Sequence, residues 1–318
     1  MLVRHLTDGQ DLDCILLVRA CERRRRRGGG EDLRLVLGDR TGSVAAELRD
    51  GVADVGAVCD AGAPVHVTGR YRIHPRDGAR IAVRSLRAAR PEDVDWTALL
   101  DGPPRAADQM EADLRELVAT VQNPHLRALL DAVLGPEAES WPAFRDAPAA
   151  KRYHQAYRHG LLEHSLGVAQ AVSAISATFP GIDRDVAVTG ALLHDIGKLE
   201  AYTTDHSAIE MTDVGKLQGE ITLGYYRVRR LVEDLPGFPA DLAGAVLHII
   251  LSHHGQLEHG SPVVPCTREA TLVHMIDNLG GRLGSFDRLE KELPDGSRWS
   301  PFDRALAGSA WFAGREAA

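Results

Sequence analysis

Ten of the fourteen histidines fall between residues 154 and 274, and several of them sit where an apolar run ends. Val186 to Leu193 reads as a buried helix and leads straight into His194-Asp195-Ile196-Gly197-Lys198. Asp241 to Leu251 reads as a second helix and leads into Ser252-His253-His254-Gly255. Glycine adopts positive φ readily, so Gly197 is expected to stop the first helix. Neutral imidazole beside an ionised carboxylate suits a divalent cation. The same pair can also be a hydrogen-bonded helix cap, so the motif alone leaves both readings open.

Further side chains extend the pattern. His164 begins a helix whose apolar face includes Val168, Ala171, Val172 and Ile175. His274 and Asp277 are three residues apart and share a helix face. Asp277 follows Val273 and Ile276, and a buried aspartate needs a metal or a histidine to offset its charge. Glu220 stands near the start of a helix running through Tyr225, Val228 and Leu231, where a carboxylate favours the positive helix end or is simply exposed. His154 and His159 read as pocket-lining or capping groups, and His125 and His248 as structural ones.

Length and composition bound what surrounds this cluster. The 318 residues can hold two domains, and 44% apolar residues can build real cores. No uncharged apolar run reaches about 18 residues, so no membrane span is expected. Residues 1–10 are charged and lack an apolar stretch, so no secretory signal is expected. Cys14, Cys21, Cys59 and Cys266 form no Cys-x-x-Cys pair, which speaks against a zinc ribbon or a disulfide scaffold. A reducing cytoplasm is the natural setting. The net charge of −8 is uneven: residues 1–90 carry about +5 and the remainder about −13. A mildly basic front suits a polyanion and an acidic back suits cations, although solvated surfaces would look the same.

The front reads as five short strands: 13–19, 33–37, 43–48, 64–71 and 79–86. Asp39-Arg40-Thr41-Gly42 is a turn signal, and Arg23 to Gly30 reads as a turn or loop. The pattern resembles an OB-like β barrel, a fold that often holds single-stranded nucleic acid. Tyr71 is the only aromatic residue before Trp96, so arginine would carry more of any such contact. Arg40, Arg70 and Arg72 are the candidate nucleic-acid contacts. The run Arg23 to Arg27 is either a further contact or a solvated hairpin loop. Breakers at 91–95 and 101–104 mark a boundary. Ala106 to Val121 and Leu126 to Leu134 then read as core-facing helices. The last helix is expected from Thr267 to about Arg282.

The order His, His-Asp, His-His, Asp resembles the HD superfamily of metal-dependent phosphohydrolases. The strings Gly160-Leu161-Leu162-Glu163-His164, Leu193-His194-Asp195-Ile196-Gly197-Lys198, Gly215-Lys216-Leu217, Ser252-His253-His254-Gly255 and Ser261-Pro262-Val263 follow an OB-like front. That combination is similar to the YhaM-type 3′→5′ exoribonucleases over nearly the whole chain. The resemblance implies a multidomain α+β chain. Its parts would be an OB-like barrel over 1–95, a connector with leading helices over 96–150, an all-α HD domain over 151–292 and a tail over 293–318.

The resemblance also implies one or two divalent ions. One would be held by His164, His194, Asp195 and Asp277. The other would be held by Asp195 as a bridge, by His253 and His254, and at a further histidine position that is Glu220 here. Glutamate is a hard ligand, so manganese is the expected ion, with magnesium, cobalt or ferrous iron as alternatives. Gly280 replaces a usual acidic residue, and Gln155 a usual histidine. Asp195 and Lys198 would be catalytic, and His154, Lys198 and Lys216 would contact substrate.

The implied reaction is metal-dependent hydrolysis of single-stranded RNA, or DNA, to mononucleotides from the 3′ end. Homo-oligomerisation is left open. Two alternatives stand beside this reading. One is an HD phosphohydrolase acting on nucleotides or cyclic dinucleotides. The other is a nucleic-acid-binding regulator with a degenerate site.

Overall fold

Alternating apolar and polar residues build the first part of the computed structural model, which describes residues 2–25, 30–49, 55, 59–74, 78–151, 155–203, 209–293 and 297–313. His154, Arg26 and Arg27 lie outside the described residues. The chain forms two compact units, Met1–Asp101 and Gly102–Ala318.

The first unit is a closed barrel of β1 (Asp11–Arg25), β2 (Glu31–Asp39), β3 (Gly42–Leu48), β4 (Pro64–His74) and β5 (Gly78–Ala88). Its strand order is β1-β2-β3-β5-β4, and β3 with β5 is the one parallel pair in an otherwise antiparallel ladder. This is an OB-like order. Leu33, Leu35 and Leu37 of β2 point inward with Val44, Ala46 and Leu48 of β3 and Val65 and Val67 of β4. A side chain at Gly69 would meet the Ala82 carbonyl at 2.5 Å, so only glycine lets β4 and β5 come this close there. The Asp39 turn closes as its residues predict, with Oδ1 accepting from the Thr41 amide at 2.7 Å and Oδ2 from the Val3 amide at 2.6 Å.

The first strand is longer than its apolar stretch. Arg23, Arg24 and Arg25 continue β1 opposite Leu33, Asp32 and Glu31, where a loop was expected. Backbone pairing extends the strand past the point where periodicity fades, and Glu31 lies 3.8 Å from both Arg23 and Arg25.

The second unit is helical. Helices α2 (Ala107–Ala119), α3 (Pro124–Leu134) and α4 (Trp141–Asp146) lead into α5 (Gly160–Ser176), α6 (Arg184–Leu193), α7 (Lys198–Ala201), α8 (Asp213–Gln218), α9 (Glu220–Asp234), α10 (Ala240–Ser252) and α11 (Arg268–Glu292). A four-residue α1 (Trp96–Leu99) belongs to the barrel unit. Helix α6 lies at the heart of the core, and every residue from Val186 to Leu193 is buried. Gly190 lets α10 approach, since a Cβ there would lie 2.3 Å from Ile249 Cδ1. Capping sets several helix starts. Asp183 accepts from the Val186 amide, Thr212 from that of Gly215, and Thr267 from that of Ala270.

Helix α11 runs ten residues past the expected end at Arg282. Ser285, Leu289 and Leu293 are buried along its far end, and tertiary packing carries the helix through a glycine-rich stretch. No helix among the described residues is long and apolar enough to cross a membrane.

Candidate metal centre

Two helices end in the same way. His194 follows α6 and points Nδ1 at the Ala191 carbonyl three residues back, at 2.7 Å. His253 follows α10 and points Nδ1 at the Ile250 carbonyl, at 2.8 Å. His254 directs Nδ1 to the His259 carbonyl at 3.0 Å, and His164 of α5 to Gln155 Oε1 at 3.0 Å. In all four rings an oxygen acceptor takes the Nδ1 proton and leaves Nε2 as the metal-binding nitrogen.

Three Nε2 atoms converge around Asp195. His164 Nε2 lies 3.3 Å from Asp195 Oδ2 and 3.1 Å from Asp277 Oδ1. His194 Nε2 is 3.3 Å from the same Asp195 oxygen and 3.8 Å from Asp277 Oδ1. His253 Nε2 is 3.5 Å from Asp195 Oδ1. Two ligand groups result, His164 with His194 and Asp277, and His194 with Asp195 and His253. Beside them His254 Nε2 faces Glu220 Oε1 at 3.6 Å. The cluster thus gathers His164, His194, Asp195, Glu220, His253, His254 and Asp277.

The donor set fits a divalent ion. Asp195 Oδ1 and His253 Nε2 are both buried and neither has a hydrogen-bond partner. Orphaned buried polar atoms are costly, and a cation between them would satisfy both. Burial opposes ionisation of Asp195, yet Lys198, then His194 and His164, hold its carboxyl well below the usual range. Burial likewise opposes charge on Asp277, and His164 and His194 outweigh it in the same direction. Burial disfavours His164 protonation, but Asp195 and Asp277 overcome it and lift its pKa to about 9. His164 and His194 bring their Nε2 atoms to 3.1 Å from each other. The His164 imidazolium and the Lys198 ammonium offset the carboxylates.

Two expectations about glycine and lysine change here. Gly197 has φ −68°, so it does not end α6 by positive φ. A Cβ there would strike the Glu220 carbonyl at 1.9 Å and the Gly224 nitrogen at 2.5 Å. Glycine is needed because α9 presses against the His-Asp turn, and this contact brings Glu220 to the site. Gly255 does sit at positive φ, and a Cβ on it would overlap the His274 ring. Lys198 turns back onto Asp195, with Nζ 2.6 Å from Oδ2. It therefore balances the charge of Asp195 directly.

The remaining candidates divide. Lys216 is exposed on α8 and pairs with Asp213 at 3.6 Å, so the structure does not bring it into the cluster. The helix turn that carries it faces solvent, with Leu217 exposed beside it. His154 lies outside the described residues. Arg40, Arg70 and Arg72 are all exposed but do not form one patch. The strand register puts Arg40 beyond the Leu17–Pro64 end of the barrel, and Arg70 opposite Asp11 at the other end. Arg70 lies six steps along β4 from Pro64, about 20 Å. His159 is a backbone feature at the start of α5, with φ 67° and Nδ1 2.7 Å from the Arg145 carbonyl. His248 is half-buried and bonds the Cys266 amide at 2.9 Å, as a structural histidine should.

The sequence pairs His274 with Asp277 on one helix face, but it does not show what His274 or Gln155 holds in place. His274 donates Nδ1 to the His253 carbonyl at 2.8 Å and so steadies the turn that presents His253. Its signal was the bare Gly255, which leaves room for the ring.

The family model of the HD domain matches residues 161–281, which span His164 to Asp277. The chain is 30% identical over 292 residues to the 3′-5′ exoribonuclease YhaM of Geobacillus sp. (strain WCH70), covering 91% of this chain and 88% of that protein. The chain belongs to the YhaM family. The YhaM protein of Bacillus subtilis (strain 168) is 29% identical over 289 residues, with 90% of each chain covered. That of Shouchella clausii (strain KSM-K16) is 28% identical over 296 residues, covering 92% of this chain and 90% of that protein. The likeness to YhaM proteins thus takes in the barrel as well as the helical unit. Among solved structures, the second OB-fold domain of replication protein A from Methanococcus maripaludis matches at 22% identity with a TM-score of 0.23. It covers 28% of this chain and 92% of that domain.

Proposed function

We propose that the chain is a metal-dependent 3′→5′ exoribonuclease that shortens single-stranded RNA and releases mononucleotides. The observation that carries this reading is the buried His-Asp cluster, in a chain similar over nine-tenths of its length to YhaM exoribonucleases. His164, His194, Asp195 and Asp277 would hold one divalent ion. Asp195, His253, His254 and Glu220 would hold a second. Bound ions would supply electrostatic stabilisation of the phosphoryl group and activation of water at neutral pH.

The chain's own residues do the rest. Asp195 directs one oxygen to each ligand group and so ties the two together. Once Asp195 is committed to ligation, the Lys198 ammonium is free to stabilise charge on the phosphoryl oxygens. Its side chain is largely buried, which strengthens that interaction. The carboxylates of Asp195, Asp277 and Glu220 make the site oxygen-rich, which favours manganese, or magnesium, over softer ions. The barrel, with its arginines and OB-like order, would hold the strand that the helical unit shortens. Four free thiols suit a reducing cytoplasm.

The test compares a single-stranded oligoribonucleotide, its DNA counterpart, mononucleotides and a cyclic dinucleotide as substrates, each with manganese, magnesium or a chelator. Stepwise loss of nucleotides from the 3′ end of the RNA is expected. Hydrolysis of the small substrates alone would replace this reading with a nucleotide phosphohydrolase. Strand binding without cleavage or metal would replace it with a regulator.

A further inference from the structure

We propose that a tryptophan hairpin at the C-terminal end of the helical unit is a base-stacking platform for the single strand, a proposal that rests on the exoribonuclease reading. Residues 298–312 fold back on themselves. The Ser300 amide donates to the Ala310 carbonyl at 2.9 Å, the Phe312 amide to that of Arg298 at 2.8 Å, and the Asp303 amide to that of Gly308 at 2.8 Å. The inner face is fixed to α11. Ser300 and Ala310 are buried, Phe312 meets Phe286 edge-on at 6.2 Å, and Asp303 pairs with Arg288.

The outer face is aromatic and wet. Trp299 and Trp311 are cross-strand neighbours with ring centroids 6.5 Å apart and planes tilted by 45°. They remain 60% and 53% exposed, and Phe302 is 68% exposed. Indole is among the most hydrophobic side chains, so two side by side in water mark a contact surface.

Charge decides what the surface fits. Asp303 is the only acid between residues 297 and 313, and it is engaged by Arg288. Arg298 and Arg304 are exposed and pair with no carboxylate among the described residues. In a chain of net charge −8, the hairpin that carries the exposed tryptophans thus also carries two cations with no carboxylate partner among the described residues. Interleaved arginine and aromatic groups are what a single strand needs, phosphates on the cations and bases on the rings. The barrel unit supplies less of this, since Tyr71 is the only aromatic residue of its strands and is half-buried, and Trp96 of α1 is its one other ring. A second copy of the chain could cover the rings, but it would not explain the two cations as directly.

Reach gives a scale. The hairpin touches α11 from Arg282 to Arg288, five to eleven residues beyond Asp277. That is about 8–16 Å along the helix. A stacked strand advances about 3.4 Å per nucleotide, so about two to five nucleotides span that stretch.

The experiment uses the full chain loaded with manganese and a ten-nucleotide RNA whose 3′ end is protected by phosphorothioate linkages. Trp299→Ala with Trp311→Ala should weaken its binding by about tenfold or more. A two-nucleotide RNA should lose less. Trp299→Phe with Trp311→Phe keeps the rings and should restore binding to near wild type. Arg298→Ala with Arg304→Ala should flatten the slope of log affinity against log salt by about 1.4. The phenylalanine and arginine variants decide the matter if the alanine pair fails to fold, since an unchanged salt slope would then overturn the proposal. It is also overturned if wild type degrades unprotected RNA while the alanine pair binds the decamer as tightly as wild type. Loss of a dimer in sedimentation with RNA affinity unchanged overturns it too, and assigns the surface to a second copy. Failure of wild type to release mononucleotides from unprotected RNA would instead overturn the exoribonuclease reading.

Discussion

The Nδ1 nitrogen of His164 donates to Oε1 of Gln155 across 3.0 Å, while Gln155 itself sits in the left-handed region at φ 58°. His194, His253 and His254 use backbone carbonyls for the same purpose, so Gln155 is the one side chain among these anchors. A non-glycine residue at positive φ is held there by its surroundings, here by the Ala149 amide on the Gln155 carbonyl. Gln155→Ala should lower manganese affinity about 10–100-fold, and Gln155→Glu should retain most of it. Equilibrium dialysis checks this, and equal affinity in all three proteins would show that the bond does not orient the ring.

The His-Asp turn should tolerate no side chain at Gly197. The Glu220 carbonyl and Gly224 nitrogen are backbone atoms and cannot rotate away from a new Cβ. Gly197→Ala should cost about 1–3 kcal/mol of stability, or more if α9 must move. It should also lower metal content, because Glu220 starts that helix. Urea unfolding with metal analysis reads both, and a stable variant with full metal content would contradict the packing described here.

His164 gives the metal-free chain a defined pH dependence. Its pKa is lifted to about 9 in the folded state by Asp195 and Asp277, against the opposing effect of burial. The stabilisation is present in full below the ordinary histidine value and is lost as the pH rises through about 9. A divalent ion must displace that proton, so stabilisation by added manganese should grow with pH. Melting temperatures with chelator and with manganese, at about pH 6.5 and about pH 8.5, test the sign. A manganese effect that shrinks at the higher pH would contradict it.

In the proposed assignment Glu220 and His254, which face each other at 3.6 Å, serve the second ion alone. Glu220→Ala should reduce bound manganese from about two ions per chain to about one, leaving the ion at His164, His194 and Asp277. Metal analysis after gel filtration checks the count. Loss of both ions, or of neither, would contradict the assignment.

Much of the metal centre is legible in the residues because each ligand closes or lies within a strongly apolar helix. His194 follows Val186 to Leu193, and Asp277 stands beside Val273 and Ile276. Such periodicity is local, and the barrel's alternation at Leu33, Leu35 and Leu37 is equally so. What stays hidden depends on partners distant in the chain. Nothing near Gly197 shows that α9 will press on it from Glu220 and Gly224. Lys198 gives no sign that it will turn back onto Asp195. The glycines at 280, 281 and 284 suggest that α11 stops early, whereas burial of Ser285, Leu289 and Leu293 carries it on. Arg40 and Arg70 look equivalent until the strand register sets them at opposite ends of the barrel.

The central claim is that Asp195 joins two ligand groups into one hydrolytic site. Its direct test is the product pattern from a 5′-labelled single-stranded RNA incubated with manganese and either wild type or Asp195→Ala, with folding of the variant checked by circular dichroism. Wild type should give a ladder shortening from the 3′ end, abolished by chelator, and the folded variant should give none. A folded Asp195→Ala protein that degrades the strand at the wild-type rate would contradict the account.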